Sequence, residues 1–549
     1  MNISTLTQRY GKWSLLLPPL LSAILILSRY STPGITADGH TYLQIARNIH
    51  FGIGLGWQAL WAAPLHSILI ALVSWLPGVA EPQVAAGIVA AVMGVGLTAA
   101  VCFLAQEAYG RRVALAAGCI AAVFPHFRWI ASTTEPEVTY TTFLMLALAL
   151  LLASRRRSSM LLAASAGICF SLAYMARSEG FLIMLLALGA LVAVSWLREH
   201  RLISVRLTIV VIIFFFATSL PYLIFLKRNY GAWTISPKAT YVLIWMKSRI
   251  YHDNDKGEIG NDELWGLNRN GRLKWQEPSG FRELAAYLMS HPAKSRQVYL
   301  DNLSFELPGR IPNNSGMQHY PQVYPIILAL LALFAAFRKW GDNSARTKAV
   351  LFSPLLILLI LPVYTGGWWK YLVPYAPLVI IAGCAGLAQA CDLLSRRISR
   401  FSVLFSVVSI CLTLWYWQAI TPPRINAIPV TAVDQGRRSY AVEAEKAGRW
   451  IASTLGPGKN YMVSWNKLIY FLNGLWTAEP VTDYYSMLQY AHREGAEYYL
   501  SEVPSNVPLS ELVTAAPPGL AFVTLYRSPD TGFSVAVYRF TALTQTGVN

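Results

Sequence analysis

The chain has 549 residues, 55% of them hydrophobic and only 13% charged, with a formal net charge of +17. Soluble domains carry about 25% charged residues, so the composition excludes a string of ordinary soluble domains and favours one large membrane bundle with a smaller soluble part. The positive excess invites a nucleic-acid reading, but the basic residues sit in short clusters between apolar runs, the pattern of cytoplasmic loops in membrane proteins.

The first apolar run, about Trp13 to Leu27, follows Arg9 and Lys12. It is succeeded by Ser28-Arg29-Tyr30-Ser31-Thr32-Pro33, with no small-x-small cleavage site, and further apolar runs follow, so it reads as a retained transmembrane helix and not a signal peptide. A crossing helix takes roughly 20 apolar residues. On that measure spans fall near 13–30, 83–106, 112–128, 138–153, 160–176, 180–197, 207–226, 322–338, 349–364, 371–391 and 402–419. The run from Pro64 to Pro77 is shorter and holds His66, which assigns it to the outer interface as a non-spanning helix.

Charge distribution tests that choice. With the N-terminus inside, the inner loops hold Arg111-Arg112, Arg155-Arg156-Arg157, Arg198 with Arg201 and Arg206, Arg338-Lys339 with Arg346 and Lys348, and Arg396-Arg397 with Arg400. The short outer loops hold Arg128, Arg177 and Lys370. Counting Pro64–Pro77 as a span would put the arginine clusters outside. The positive-inside rule therefore gives eleven spans, N-terminus in and C-terminus out.

Two outer segments are long. Residues 227–321 contain a Lys/Asp/Gly-rich stretch from Lys247 to Gly271, then a helical pattern from Gly280 to about Leu303; such a connection is usually a lid or binding loop. The tail, 421–549, reads as a small external α/β domain. Helices are expected over Ala441–Leu455 and Tyr484–Glu494, and strands over Asn460–Ser464, Glu497–Leu500, 520–527 and 532–539, the last two joined by the turn Ser528-Pro529-Asp530-Thr531-Gly532. The six cysteines lie in or beside apolar runs, so no disulfide framework and no cysteine metal site is expected. No internal repeat or low-complexity tract stands out.

Carboxylates beside a bilayer are costly unless they have a task. Asp38, in Ala37-Asp38-Gly39-His40-Thr41-Tyr42, reads as a catalytic base or as a group orienting an acceptor hydroxyl. It also precedes a helical pattern, Thr41–Asn48, and would serve as an N-cap. Glu135 and Glu137, in Thr133-Thr134-Glu135-Pro136-Glu137, read as further active-site carboxylates or as charges favouring a helix N-terminus. The expected topology puts both loops on one face. Arg128, Arg177 and Lys370 are cations where the positive-inside rule disfavours them, and a lipid phosphate would draw on such groups. Lys370, flanked by Trp368, Trp369 and Tyr371, also suits headgroup anchoring, and Glu179 offers Arg177 an ion-pair partner. A divalent cation on Asp38, His40 and Glu135 is conceivable chemically, without tight ligand spacing to support it. There is no glycine-rich phosphate loop, metalloprotease helix or serine elbow.

These segments resemble the GT-C glycosyltransferases of the ArnT and protein O-mannosyltransferase type (glycosyltransferase family 39 and its bacterial relatives). The similar segments are Asp38-Gly39-His40-Thr41-Tyr42-Leu43-Gln44-Ile45-Ala46-Arg47-Asn48, Ala63-Pro64-Leu65-His66, Thr134-Glu135-Pro136-Glu137, Ala176-Arg177-Ser178-Glu179-Gly180 and Lys370-Tyr371-Leu372-Val373-Pro374. They run in order across about residues 10–420. Many relatives have Asp-Glu in the first loop where Gly39 follows Asp38 here, and Pro-Pro-Leu-Tyr where this chain has Ala63-Pro64-Leu65-His66.

The resemblance implies an α-helical polytopic membrane protein: a GT-C-like catalytic module over 1–420, with a first outer loop at 31–82, and an external domain over 421–549. It implies transfer of a sugar from a polyprenyl-phosphate donor to a lipid, glycan or protein acceptor, with inversion, at the outer face of the membrane. The compact loops suggest a bacterial inner membrane with a periplasmic site. Asp38 and Glu135 are the expected catalytic residues. Lys370, Tyr371, Arg177, Glu137, His66, Tyr42 and Arg128 are the expected substrate contacts. No metal site is assigned; a weakly bound divalent cation is the one cofactor entertained. The partners are the lipid donor, the acceptor and membrane lipids, with no nucleic acid. An oligosaccharyl- or polymerase-type transferase using a lipid-pyrophosphate donor would share the fold. A transporter of lipid-linked sugar is the non-enzyme alternative, but the acidic residues lie in loops and not mid-span. A receptor or scaffold working through the tail is the third alternative.

Overall fold

A computed structural model of the chain describes residues 12–28, 38–79, 81–199, 202–238, 266–276, 281–306, 326–337, 344–360, 371–397, 404–418, 432–463, 466–480, 482–504, 506–529 and 531–541, with isolated positions 35, 240 and 244. Its contacts divide the chain into two units: Met1–Ser236 with Arg296–Ile428, and Pro237–Ser295 with Pro429–Asn549.

The first unit is helical. In chain order it contains α1 (Leu17–Leu27), α2 (Gly39–His50), α3 (Leu65–Ser74), α4 (Pro82–Tyr109), α5 (Arg111–Val123), α6 (Pro125–Ile130), α7 (Glu137–Arg157), α8 (Met160–Ala176), α9 (Glu179–Glu199), α10 (Leu202–Tyr230) and, later, α11 (Ala376–Arg397). Apolar helices at Ile326–Phe337 and Leu404–Gln418 add to it, the first packed along α11. Five described segments are long and apolar enough to cross a membrane by length and composition: 82–109, 137–157, 179–197, 205–230 and 373–394. Shorter apolar helices, α1 and α8 among them, accompany these. The chain is a multi-pass membrane protein. Helix α3 has ten residues, about 15 Å of rise, too little to cross a hydrocarbon core of about 30 Å.

Local chemistry sets the boundaries. Pro82 opens α4 at its first turn, where its missing N–H costs nothing. Gly110 ends α4 at φ 84°, ψ −178°, a backbone region open essentially to glycine alone, and the chain turns there into α5. Ser158, in the left-handed region, closes α7, and the Ser159 hydroxyl accepts from Leu162 N at 3.4 Å to start α8. The expected helix over 112–128 is broken: Pro125 ends α5 and starts α6. Likewise the single helix expected from Gly280 to Leu303 is two, Phe281–Ser290 and Pro292–Glu306, divided at Pro292. The Lys247–Gly271 stretch lies outside the described residues except for its last six positions.

Charges mark the two ends of this unit. At one end Glu107, closing α4, pairs with Arg157 of α7 at 2.6 Å; Arg111 donates to Ser14 Oγ at 2.7 Å, and Arg112 pairs with Asp392 of α11 at 3.2 Å. At the other end lie the starts of α2, α7 and α9 and the close of α8. There α2 and α3 pack side by side. The Ser67 hydroxyl donates to the Tyr42 carbonyl at 2.8 Å, and Tyr42, Ile45, Ala59 and Ala62 form a small core with Phe225 of α10.

The second unit holds a five-stranded sheet in the order β2-β1-β3-β5-β4, with β1 (Asn460–Val463), β2 (Leu475–Ala478), β3 (Tyr498–Glu502), β4 (Leu520–Arg527) and β5 (Ser534–Phe540). β2, β1 and β3 run parallel; β5 is antiparallel to β3 and to β4. Helices α12 (Ala432–Leu455), α13 (Asn466–Leu472) and α14 (Tyr484–Arg493) cover it. Ala444, Ala447 and Ile451 pack with Tyr461, Leu468, Leu500 and Val537 in its core. The α/β reading of the tail holds; α13 and β2 were not expected. In the same unit Arg493 donates to the carbonyls of Asn270 (3.2 Å) and Gly271 (2.5 Å), anchoring a tight hairpin in which Leu267 bridges Leu273.

Candidate active site

Asp38 occupies the position before α2, exposed, and its side chain makes no capping hydrogen bond, so helix capping does not account for it. Beyond it the first turns of α2 are buried. Tyr42 projects from there into a region whose charges are Glu137, Arg177, Asp38 and Glu135. Burial, then the Glu137 carboxylate, push the Tyr42 phenol well above its ordinary range; Asp38 and Glu135 act the same way and Arg177 opposes them. The residues from the two loops therefore share one end of the bundle.

His66 opens α3. Its ring meets Tyr42 edge-on, with centroids 5.9 Å apart, and its Nδ1 lies 2.9 Å from the Thr139 hydroxyl on the first turn of α7. Burial lowers the imidazole to about 4, against the opposing pull of the Thr134 backbone, so His66 is neutral near pH 7. It reads as a strut between α2, α3 and α7.

Glu135 and Glu137 are not loop-exposed charges: both are buried, and Glu137 starts α7. Arg177 follows the last residue of α8. Its Nη1 donates to Glu137 Oε1 and its Nη2 to Glu179 Oε1 at 3.2 Å, while the guanidinium lies 4.5 Å from the Tyr371 ring centroid. Burial works against the charged guanidinium, but Glu179 and then Glu137 outweigh it and hold Arg177 well above the usual arginine range. Gly180 permits this approach: a Cβ there would lie 2.6 Å from Tyr174 N on α8. One turn below, the hydroxyls of Tyr140 and Tyr375 meet at 3.2 Å.

Of the residues expected from sequence, Asp38, Tyr42, Glu135, Glu137, Arg177 and Tyr371 are gathered, with His66 behind them. Arg128 is half-buried on α6, which leads into the connection bearing Glu135. Lys370 lies outside the described residues. Sequence reasoning paired Arg177 with Glu179 but missed its bond to Glu137 and its seat on Tyr371. The group holds four carboxylates and one guanidinium, and Arg177 is already neutralised from two sides. Of those carboxylates Asp38 alone is exposed. Among the described residues no set of three or more His, Cys, Asp or Glu is placed to hold a metal ion.

Comparison with known proteins follows the same lines. The family described as dolichyl-phosphate-mannose-protein mannosyltransferase matches residues 62–225, a stretch that includes Glu135, Glu137 and Arg177. The oligosaccharyltransferase AglB of Archaeoglobus fulgidus, in complex with an inhibitory peptide and a dolichol-phosphate, is similar in structure over 98% of this chain and 75% of its own, at 13% identity and a TM-score of 0.56. ArnT of Cupriavidus metallidurans, bound to undecaprenyl phosphate, is similar over 97% of this chain and 98% of its own, at 15% identity and a TM-score of 0.51. The chain has the fold of the GT-C membrane glycosyltransferases. At these identities the likeness is one of fold. No curated protein matches the chain in a sequence search. Within the GT-C fold the matched segment carries α3 through most of α10, and so most of the charged group.

Proposed function

We propose that the chain transfers a sugar from a polyprenyl-phosphate donor to a lipid, glycan or protein acceptor, at the outer face of a bacterial inner membrane. The observation that carries this reading is the convergence of Asp38, Glu135, Glu137 and Arg177 around Tyr42 at the end of the bundle away from the arginine clusters. Support for the donor class comes from the polyprenyl phosphates held by AglB and ArnT. The arginine-rich end supports an N-terminus in the cytoplasm and an external domain over 421–549.

In this mechanism Asp38 takes or orients the proton of the acceptor hydroxyl, being the carboxylate open to an incoming group. The acceptor oxygen attacks the anomeric carbon, the bond from that carbon to the phosphate oxygen breaks, and polyprenyl phosphate leaves with inversion. Glu135 assists in binding acceptor hydroxyls. Because Glu137 and Glu179 neutralise Arg177, stabilising the leaving phosphate falls chiefly to Lys370, next in sequence to Tyr371, and to Arg128.

The test is transfer of labelled sugar from polyprenyl phosphate by the full chain in nanodiscs. Asp38→Asn is expected to abolish transfer while retaining the wild-type thermal transition; full activity of that variant removes Asp38 from the mechanism. Turnover only with a lipid-pyrophosphate donor would favour the oligosaccharyl-type reading, and loss of turnover on chelation would add a divalent cation.

A further inference from the structure

We propose that the Tyr42 hydroxyl is the hydrogen-bond donor to the phosphate oxygen that leaves the anomeric carbon. This role rests on the transferase reading above and gives a reacting atom to a residue placed there only as a contact. Tyr42 is held rigidly. Its ring meets His66 edge-on at 5.9 Å and packs with Ile45, Ala59, Ala62 and Phe225, while its carbonyl accepts from Ser67 Oγ at 2.8 Å. It follows Asp38 by four residues, about one turn, so the two share a face of α2. The residue is buried but not sealed, at 8% exposure.

Donor and acceptor chemistry selects the ligand atom. The charges around the hydroxyl are Glu137, Arg177, Asp38 and Glu135. Ionised carboxylates only accept hydrogen bonds, which suits the hydroxyls of a sugar or an acceptor. The leaving phosphate is an anion and needs donors. Arg177 spends Nη1 on Glu137 and Nη2 on Glu179. Tyr42 is the other donor in this group, and among the described residues none exchanges a hydrogen bond with its hydroxyl. Burial and Glu137 push the phenol upward, so it keeps its proton beside an arriving anion. In the step itself the acceptor oxygen bonds to the anomeric carbon, with its proton passing to Asp38. The bond from that carbon to the phosphate oxygen breaks, and the electron pair stays on the phosphate. The Tyr42 O–H hydrogen-bonds that oxygen as its charge grows and retains its own proton.

The test uses the leaving group itself. Native mass spectrometry of the full chain in micelles compares binding of undecaprenyl phosphate with that of undecaprenol, which has the same tail and no phosphate. Tyr42→Phe removes only the hydroxyl. It should weaken undecaprenyl phosphate about tenfold, leaving undecaprenol binding and the thermal transition unchanged. With a polyprenyl-phosphate sugar it should lower kcat about a hundredfold, with far less change in KM. 3-Fluorotyrosine at position 42, a stronger donor on the same ring, should bind undecaprenyl phosphate more tightly than wild type and serves if Tyr42→Phe does not fold. Equal binding of undecaprenyl phosphate by wild type and Tyr42→Phe, or equal weakening of both lipids, overturns the proposal. So does a fluorinated protein that binds no better than wild type. A wild type that binds undecaprenyl phosphate through Tyr42 yet transfers no sugar supports the phosphate contact and overturns the transferase reading alone.

Discussion

Arg177, just past the end of α8, is hydrogen-bonded to Glu137, the first residue of α7, and the pair is almost wholly buried, with side chains 7% and 2% exposed. An ion pair at such depth recovers its desolvation only if its other hydrogen bonds are met. Glu179 supplies one, and the Tyr371 face adds a cation–π contact. Arg177 thereby ties together α7, α8, the start of α9 and the segment entering α11.

Removing one member should cost more than replacing all three. Arg177→Ala leaves two buried carboxylates facing each other, and a loss of about 3–5 kcal/mol is expected. Arg177→Met combined with Glu137→Leu and Glu179→Leu should recover much of the thermal midpoint. Arg177→Lys should not, since an ammonium lacks the planar fork that reaches both carboxylates while stacking on Tyr371. Thermal unfolding in detergent distinguishes these. A midpoint for Arg177→Lys equal to wild type would deny the guanidinium its bridging role.

Gly180→Ala should destabilise the same corner. The added Cβ would lie 2.6 Å from the Tyr174 backbone nitrogen, and backbone does not rotate aside as a side chain would. Overpacking of this kind costs about 1–3 kcal/mol. Gly189→Ala, on the same helix but facing open space, is the control and should leave the midpoint unchanged.

Acid should act on His66. Its folded pKa, about 4, lies below the ordinary value of 6.5, so the unfolded chain takes up a proton over a range in which the folded chain does not. The stability tied to a neutral His66 is fully present above pH 6.5 and is lost as pH falls toward 4, to a total of about 3 kcal/mol. Wild type should lose more midpoint than His66→Gln between pH 7 and pH 4.5. Parallel losses in the two proteins would show that His66 is not held neutral by its surroundings.

Much of the bundle was legible because hydropathy and positive charge are strong, local signals. The starts of α4, α8 and α9 fall within a residue or so of their expected places. Pro125 and Pro292 were read through because the patterns on either side continue; a proline's lost N–H outweighs pattern continuity only in three dimensions. Asp38, Glu135 and Arg177 stood out as charges where apolar surroundings make charge expensive. The pairing of Arg177 with Glu137 was not legible, because 40 residues and two helices separate them. Tyr371 was visible as a neighbour of Lys370, but its ring meets Arg177 only through the fold. In the second unit α13 and β2, seven and four residues long, are too short for periodicity to register.

Arg493 offers a test confined to the second unit. Its guanidinium lies against the Tyr490 ring and donates to the carbonyls of Asn270 and Gly271. Gly271 sits at φ 70°, and a Cβ there would lie 2.7 Å from Arg493 Nη1, so the turn and the arginine are fitted to each other. Because the contact is exposed, Arg493→Ala should cost the domain no more than about 1 kcal/mol. Its effect should instead be local. Amide hydrogen exchange at Asn268, Gly271 and Lys274, whose N–H groups close the hairpin, is expected to quicken severalfold, while the paired amides of β3 and β5 keep their protection. Unchanged exchange in the hairpin would mean that its own backbone bonds and the Asn268 side chain, which accepts from Asn270 N and Arg272 N, hold it without the arginine.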